Sequence, residues 1–208
     1  FVASEIVMDL KESKAYVSTG IVALNAIIFL ICTFTGNLLY NIGEISPQVF
    51  FEGGQYYRIF TSMFLHADIE HIASNMIILF GLGMMMEQET GHVTFGVLYF
   101  LTGIIGNAAS LFYKIYMGEW AVASLGASGA VFGMEGVLLA FVMQYPERMR
   151  YASWEKIAIM VIYSIYCGIR SENIDNAAHI GGFISGFLLG LLVCIVRKAG
   201  KPKNGYRK

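Results

Sequence analysis

One hydroxyl lies between small residues at the point where an apolar stretch of the sequence begins. The stretch GASGAVFG runs from Gly126 to Gly133 and contains Ser128. A serine in this position either punctuates the start of a helix or acts as a nucleophile that needs bare backbone around it. A nucleophilic serine requires a base, and the later stretch AHIGGFISG supplies an imidazole at His179. The two residues are therefore a candidate nucleophile and base.

A third polar stretch, HADIEHIASN, precedes both and contains His66, His71 and Asn75. His71 and Asn75 are four residues apart, so on a helix they share one face. Their side-chain N–H groups could point toward negative charge that develops near Ser128, together with the backbone N–H of that serine at a helix start. This arrangement would be an oxyanion hole. The alternative is that the histidines are interfacial or capping residues.

The same histidines are poor candidates for a metal site. HExxH is absent, and His66 and His71 would lie about 140° apart around an ideal helix. Each of the three cysteines falls inside an apolar run, and their spacing indicates neither a disulfide framework nor a zinc site. We expect them to pack as small hydrophobic residues, and we expect no metal or cofactor. The cysteines are Cys32, Cys167 and Cys194.

The composition indicates a membrane protein. Of 208 residues, 56% are hydrophobic and only 14% are charged, and the mean hydropathy is +0.60. These values do not suit an ordinary soluble domain. A net charge of −1 argues against nucleic acid as a partner. The lipid bilayer is the expected environment.

Six apolar stretches are candidate helices, and several are shorter than the roughly 20 residues that a lone span requires. Short spans are tolerated when neighbouring helices shield their ends and polar flanks continue the helix. We therefore predict an all-α polytopic membrane protein with six transmembrane helices in one compact bundle. The stretches are 17–34, 72–86, 93–113, 130–143, 157–169 and 177–196.

The basic residues predict the orientation of this bundle. If both termini lie on one side, the other side keeps only Arg58, Lys114 and Arg170. The positive-inside rule then places both termini in the cytoplasm. The chain starts at Phe1 without an initiator Met, so we expect residues 1–14 to be a truncated or processed cytoplasmic segment. The terminal side carries Lys11, Lys14, Arg148, Arg150, Lys156, Arg197, Lys198, Lys201, Lys203, Arg207 and Lys208.

Two further segments complete the predicted organisation. Residues 15–197 form a single six-helix domain, and residues 198–208 form a basic cytoplasmic tail. The long segment between the first two helices carries GGQYYRIFTSMFLH, and we expect it to fold on the outer face. Tyr56, Tyr57 and Phe60 could sit at headgroup level, with Arg58 reaching lipid phosphate or backbone carbonyls. The alternative is a solvated loop with incidental aromatic residues.

This topology gives Ser128 and His179 a similar depth, because their helices both run from outside to inside. Ser128 lies 20 residues before Arg148, and His179 lies 18 before Arg197. At 1.5 Å of rise per residue, their heights differ by about 3 Å. A hydrogen bond between them also requires the two helices to approach closely.

Small residues on both helices make that approach plausible. Gly182 and Gly186 share a face with His179, and Gly129 and Gly133 form a GxxxG after Ser128. Such faces let two helix backbones come close. The alternative is that these glycines only pack helices, as they do in many transporters and channels.

Together these motifs resemble the rhomboid intramembrane serine proteases. GASG, AHIGGFISG and HADIEHIASN occur on the expected helices, and the resemblance covers nearly the whole chain, in the six-helix order of the family. It implies a rhomboid-like bundle with both termini cytoplasmic, in which residues 15–197 are the protease domain. It also implies a multi-pass protein, which we expect in the plasma membrane of a bacterium.

The resemblance assigns roles to individual residues. Ser128 would be the nucleophile and His179 the general base, acting as a dyad without a buried carboxylate. Gly126 would open the turn that presents Ser128. His71 and Asn75, with the Ser128 amide, would hold the oxyanion.

Four other positions match the family pattern or depart from it. Tyr57 and Arg58 match an aromatic-Arg element of the first loop, with Tyr where Trp is common. Glu87 matches an acidic residue with a structural role at the inner end of the second helix. Phe132 stands where many members carry a Tyr that stacks on the histidine. Ring packing on His179 would survive, and any hydroxyl bond would be lost.

Glu135 fits the pattern least well. It lies seven residues after Ser128, two helical turns deeper, in a segment where a charge is expensive. We expect it to be uncharged or bonded to polar groups of neighbouring helices. At about 10 Å of helix rise from Ser128, a structural or adaptive role is favoured over a catalytic one.

The resemblance implies an intramembrane serine endopeptidase that cleaves transmembrane segments of other proteins near the outer face. The main alternative is a catalytically inactive rhomboid-like protein that binds or escorts membrane helices. Those relatives typically lack the serine or the histidine, and Ser128 and His179 are both present. A transporter or channel would need a midplane site formed by broken helices and usually more intramembrane charge than Glu135 alone.

Overall fold

The computed structural model describes residues 15–149, 152–169 and 174–199. The predicted segment 1–14 and residues 200–208 of the predicted tail lie outside the described residues, as does Arg170. Within the described part, two short α-helices precede the second long one, namely α2 (Leu38–Gly43) and α3 (Arg58–Thr61). The long helices are α1 (Tyr16–Thr35), α4 (Ile69–Thr90), α5 (His92–Met117), α6 (Ser128–Gln144), α7 (Trp154–Ile169) and α8 (Asn176–Ala199).

All six predicted helices occur, and each begins slightly before its apolar stretch because polar flanking residues continue the helix. Among the described residues, α1, α4, α5 and α8 are long and apolar enough to cross a membrane. Helix α6 is a shorter apolar helix of 17 residues. The prediction of an all-α polytopic membrane fold is confirmed. The number of membrane crossings and the cytoplasmic position of the termini stay predictions.

Helix α6 lies at the centre of the bundle. It packs against α5, α7 and α8, most extensively against α8, and nearly all of its side chains are buried. The surrounding helices expose large apolar side chains, including Ile77, Ile159 and Leu188. Apolar surface on this scale is expected where lipid covers the protein.

Two glycines let α8 touch α6 directly. A Cβ added at Gly182 would lie 2.0 Å from the carbonyl oxygen of Gly129, and one added at Gly186 would lie 1.8 Å from that of Gly133. Both distances are far below a van der Waals contact, and in both cases the obstacle is backbone. The close approach predicted from the small residues is therefore present, and it brings the first turn of α6 to the first turn of α8.

Gly186→Ala should lower the stability of the protein, because the added methyl group would force α6 and α8 apart. Overpacking of this kind costs about 1 to 3 kcal/mol, and a backbone obstacle leaves little room to relax. The measurement is the thermal midpoint of unfolding in detergent. The matched control is Gly20→Ala on α1, where a Cβ would have no atom within 4 Å. The control should be at least as stable as the wild type, since alanine favours a helix. Equal midpoints for all three proteins would contradict the packing argument.

The segment between α1 and α4 is folded around Arg58. This side chain is buried and donates to the carbonyl oxygens of Asn41 and Glu44 at 2.7 and 2.8 Å. Its Nε also donates to Oε1 of Gln55 at 2.7 Å. Of the two partners predicted for Arg58, the structure shows backbone carbonyls. Tyr56, Tyr57 and Phe60 are exposed, and their position at headgroup level stays a prediction.

Glu87 joins the end of α4 to the start of α1. Its carboxylate accepts hydrogen bonds from the backbone N–H groups of Val17 and Ser18 at 2.8 and 2.9 Å. It also accepts one from the Ser18 hydroxyl at 2.8 Å and lies 2.5 Å from Nδ1 of His92. The side chain is fully buried. These contacts support the structural role expected for Glu87.

Candidate active site

Ser128 and His179 are hydrogen-bonded to each other. Nε2 of His179 lies 2.9 Å from Oγ of Ser128. Ser128 is the first residue of α6 and is half-buried, whereas His179 lies on the first turn of α8 and is buried. With Nε2 unprotonated, the serine hydroxyl donates to the imidazole. The imidazole is then placed to accept the proton of that hydroxyl.

The imidazole of His179 is held by a ring and not by a carboxylate. Phe132 stacks on it, with ring centroids 4.2 Å apart and planes 8° apart. Nδ1 of His179 is buried and has no hydrogen-bond partner among the described residues. The structure thus brings together the two members of the expected dyad and the expected ring.

The turn before Ser128 requires a glycine. Gly126 has a φ of +124°, a conformation that residues with a side chain rarely adopt. A Cβ at this position would also lie 2.8 Å from Nε2 of His71 and 3.7 Å from Oγ of Ser128. The bare backbone of Gly126 therefore lets the ring of His71 come close to the serine.

Two further N–H groups are candidate donors for the site. Asn75 lies one turn after His71 on α4 and is buried, and its Nδ2 has no acceptor among the described residues. Because α6 begins at Ser128, the backbone N–H of Ser128 is among the four that a helix start leaves without an intrahelical acceptor. A buried amide without an acceptor is costly unless a ligand supplies one. The unpaired N–H groups of Asn75 and Ser128 stay the predicted donors to an oxyanion.

His66 lies behind His71. It is fully buried, and the two rings meet edge to face with centroids 5.1 Å apart. Burial, together with the neighbouring His71, lowers the pKa of His66 to about 4, so this ring is neutral near pH 7. No group of three His, Cys, Asp or Glu residues in the part of the chain that the structure describes could hold a metal ion. His66 therefore packs against His71.

Glu135 and two of the cysteines lie in the bundle interior. Glu135 is 2% exposed, and its Oε2 has no hydrogen-bond partner among the described residues. Its place on α6, about 10 Å of helix rise beyond Ser128, keeps it away from the hydroxyl. Cys32 and Cys194 are buried free thiols, and the side chain of Cys167 lies outside the described residues.

A polar cluster that lies next to Ser128 and His179 was not predicted from the sequence. Asp175 accepts hydrogen bonds from the hydroxyls of Ser110 and Ser124 and lies 3.6 Å from Nζ of Lys114. Burial alone would raise the pKa of Asp175, but the two hydroxyls and the Lys114 charge outweigh it and lower that pKa. One signal was available, because an aspartate directly before a helix is a preferred N-cap.

Asn75→Ala should lower kcat by about 10²-fold on the site's substrate, because one preorganised donor to the oxyanion is lost. KM should change little, since the interaction forms mainly in the transition state. The measurement is steady-state cleavage kinetics in liposomes. Asn25→Ala is the matched control, since Asn25 is also buried and its amide donates to the Ile21 carbonyl of its own helix, α1, at 2.9 Å. A rise in KM with unchanged kcat would contradict the oxyanion role.

The fold and these contacts define a helical, multi-pass integral membrane protein with a serine and a histidine hydrogen-bonded between two of its helices. A family model described as the rhomboid domain matches residues 53–196. This match covers more than half of the chain, and the chain belongs to the rhomboid family.

Individual relatives agree with this placement. RHOMBOID-like protein 1 of Arabidopsis thaliana is 34% identical over 173 residues, covering 81% of this chain and 41% of that protein. Rhomboid protease GluP of Bacillus subtilis (strain 168) is 33% identical over 152 residues, covering 73% of this chain and 28% of that protein. Putative rhomboid protease YdcA of the same bacterium is 29% identical over 192 residues, covering 88% and 90%. The chain thus spans less than half the length of the first two relatives.

Proposed function

We propose that the chain is an intramembrane serine endopeptidase that cleaves transmembrane segments of other membrane proteins near the outer face. The observation that carries this proposal is the 2.9 Å contact between Oγ of Ser128 and Nε2 of His179. The rhomboid domain and the two relatives named as proteases support the reaction class.

The first half of the reaction is acylation. His179 accepts the proton of Ser128 as Oγ attacks the carbonyl carbon of the scissile peptide bond. The oxyanion that forms accepts hydrogen bonds from Asn75 Nδ2, from the Ser128 backbone N–H, and from His71 in its Nε2–H tautomer. Collapse of the tetrahedral intermediate breaks the C–N bond. His179 then gives its proton to the leaving amine.

The second half is hydrolysis of the acyl ester. His179 removes a proton from a water molecule, the resulting nucleophile attacks the ester carbonyl, and Ser128 leaves with the proton returned by His179. Ser128 is half-buried and not sealed, which suits a site that water must enter. We propose a polar cavity open to the outer face, because water in the hydrocarbon must be shielded by protein.

The substrate class follows from the same geometry. A peptide carbonyl in an intact helix already accepts a backbone hydrogen bond and is surrounded by side chains. The substrate segment must therefore unwind locally before Ser128 can attack it. We expect small or helix-destabilising residues around the scissile bond.

The function is tested with the wild-type chain in liposomes and a panel of fluorescent single-span substrates. We expect cleavage, and we expect a fluorophosphonate to stop it by modifying Ser128, as identified by mass spectrometry of the labelled peptide. Label on another residue with loss of cleavage would contradict the nucleophile. No cleavage across the panel and no label would favour the alternative, a rhomboid-like protein that binds or escorts membrane helices, which copurification with the same substrates would detect.

We also propose that the protein resides in the cell membrane of a bacterium. Two of the relatives come from Bacillus subtilis, and one of them is covered over 90% of its length. Lipid and transmembrane substrates are then the expected partners. The measurement is fractionation of the cell in which the protein occurs naturally. We expect the chain in the plasma membrane fraction, and recovery in an organelle membrane would contradict the proposal.

A further inference from the structure

Four polar side chains meet outside the reacting pair, where three segments of the chain come together. Ser110 and Lys114 lie on the last turns of α5, Ser124 lies on the segment that leads into α6, and Asp175 directly precedes α8. Oδ2 of Asp175 accepts from both hydroxyls. Lys114 donates to Ser124 and pairs with Asp175 at 3.6 Å. We call these four residues the polar brace.

The brace fixes the start of the helix that carries His179. Oδ1 of Asp175 accepts a hydrogen bond from the backbone N–H of Ala178 at 3.0 Å, which is the bond of an N-cap residue. The backbone carbonyl of Asp175 accepts from the N–H of His179 at 3.2 Å. The orientation of the first turn of α8 therefore depends on where this carboxylate is held.

The brace also fixes the approach to Ser128. The backbone of Ser124 exchanges two hydrogen bonds with Ile45, at 2.7 and 3.0 Å. Two residues later, the N–H of Gly126 donates to the Ser62 carbonyl at 2.9 Å. Ser124 lies four residues before Ser128, as Asp175 lies four residues before His179. One ionic cluster thus joins the two chain segments one helical turn ahead of the two reacting groups.

We propose that Asp175 and Lys114 are positioning residues that hold Ser128 and His179 at their reacting distance. This inference rests on the proposed function. The side chains of Lys114 and Asp175 are 8% and 21% exposed, and removal of one partner leaves the other charge poorly solvated, which displaces the groups around it. A misplacement of 1 Å in a reacting pair can cost about 10²-fold in rate.

The test separates charge, capping and packing with four variants of the full chain in liposomes. Asp175→Asn keeps a good N-cap but removes the charge, and Asp175→Ala removes both. Lys114→Met removes the opposite charge, and the double variant Lys114→Met with Asp175→Asn restores neutrality. Glu147→Gln is the control, because it removes an exposed carboxylate beyond Gln144, at the opposite end of α6 from Ser128.

The kinetic readout is kcat and KM on one single-span substrate, together with the rate at which a fluorophosphonate modifies Ser128. Asp175→Asn should lower kcat and the labelling rate roughly tenfold, with KM changed less than about twofold, because alignment and not binding is disturbed. The double variant should regain most of the loss. A folded Asp175→Asn with wild-type kcat would overturn the proposal. So would a loss of kcat with a matching loss of thermal stability that the double variant does not restore.

Hydrogen exchange gives a second readout that does not depend on activity. Asp175→Ala should speed exchange in the first turn of α8 and also in residues 122–128, about fifty positions earlier in the chain. If exchange becomes faster only in α8, Asp175 acts only as the N-cap of that helix. This result would overturn the proposal that the brace joins the two segments. If the wild type fails to cleave any substrate, the proposed function fails, while hydrogen exchange still decides whether the brace joins the two segments.

Discussion

Ser128→Ala should lower kcat/KM for a single-span substrate by a factor on the order of 10⁴ or more, the range seen when a serine nucleophile is removed. Alanine keeps the start of α6 but has no oxygen to attack the carbonyl, so no acyl ester forms. The measurement is release of a fluorescent fragment in liposomes, with wild type and variant at equal protein-to-lipid ratio. The folded fraction is checked by the thermal midpoint.

Ser185→Ala is the matched control for this loss. Ser185 is also a buried serine in an apolar helix, and its hydroxyl donates to the Gly182 carbonyl of its own helix at 2.8 Å. Wild-type cleavage is expected from this variant. If Ser128→Ala and Ser185→Ala both cut at the wild-type rate, the nucleophile lies elsewhere.

The reacting pair could be predicted because its determinants are regular. Because a helix rises by a fixed distance per residue, the depth of a residue in the bundle can be counted from the sequence. Glycines at helical spacing identify the helix faces that can touch each other. Counting from Arg148 and Arg197 gave Ser128 and His179 similar heights, and the structure places their side chains in hydrogen-bond contact. The same regularity explains why all six helices were found from the apolar stretches.

The polar brace could not be predicted because its contacts join chain segments far apart in sequence. Asp175 and Ser110 are separated by 65 positions, and Asp175 and Ser124 by 51. Polar residues at helix ends usually face water or headgroups. From the sequence, Lys114 was therefore used only as one of the basic residues that predict the orientation of the bundle in the membrane. In the structure Lys114 donates to Ser124, whose backbone pairs with the distant Ile45.

The orientation of the imidazole needs an explanation that differs from that of a triad. In a Ser-His-Asp triad, a carboxylate on Nδ1 fixes the tautomer and the ring plane. Here Phe132 stacks on the ring of His179, and the carboxylate of Asp175 is used by the serines, Lys114 and the helix start. The position of the ring is then set by the stack and by the helix that carries it. The geometry of the pair is therefore sensitive to the α6–α8 contact.

His179→Ala should also lower kcat/KM by a factor on the order of 10³ to 10⁴, because Ser128 loses the group that accepts its proton. The double variant Ser128→Ala with His179→Ala should have a kcat/KM no lower than that of the less active single variant. A nucleophile and its base act as one unit, so the second removal has nothing left to disable. All three variants are compared with the wild type on one substrate, with residual cleavage measured over long incubation.

This comparison decides between two explanations of a loss at His179. If the ring acts only by packing between α6 and α8, its removal would lower the thermal midpoint and the losses of the two single variants would multiply in the double variant. If it acts as the base, the losses do not multiply, whatever the change in the thermal midpoint. The 2.9 Å contact and the half-buried hydroxyl favour the second outcome. A double variant with the multiplied loss would contradict the dyad even if each single variant were inactive in a short assay.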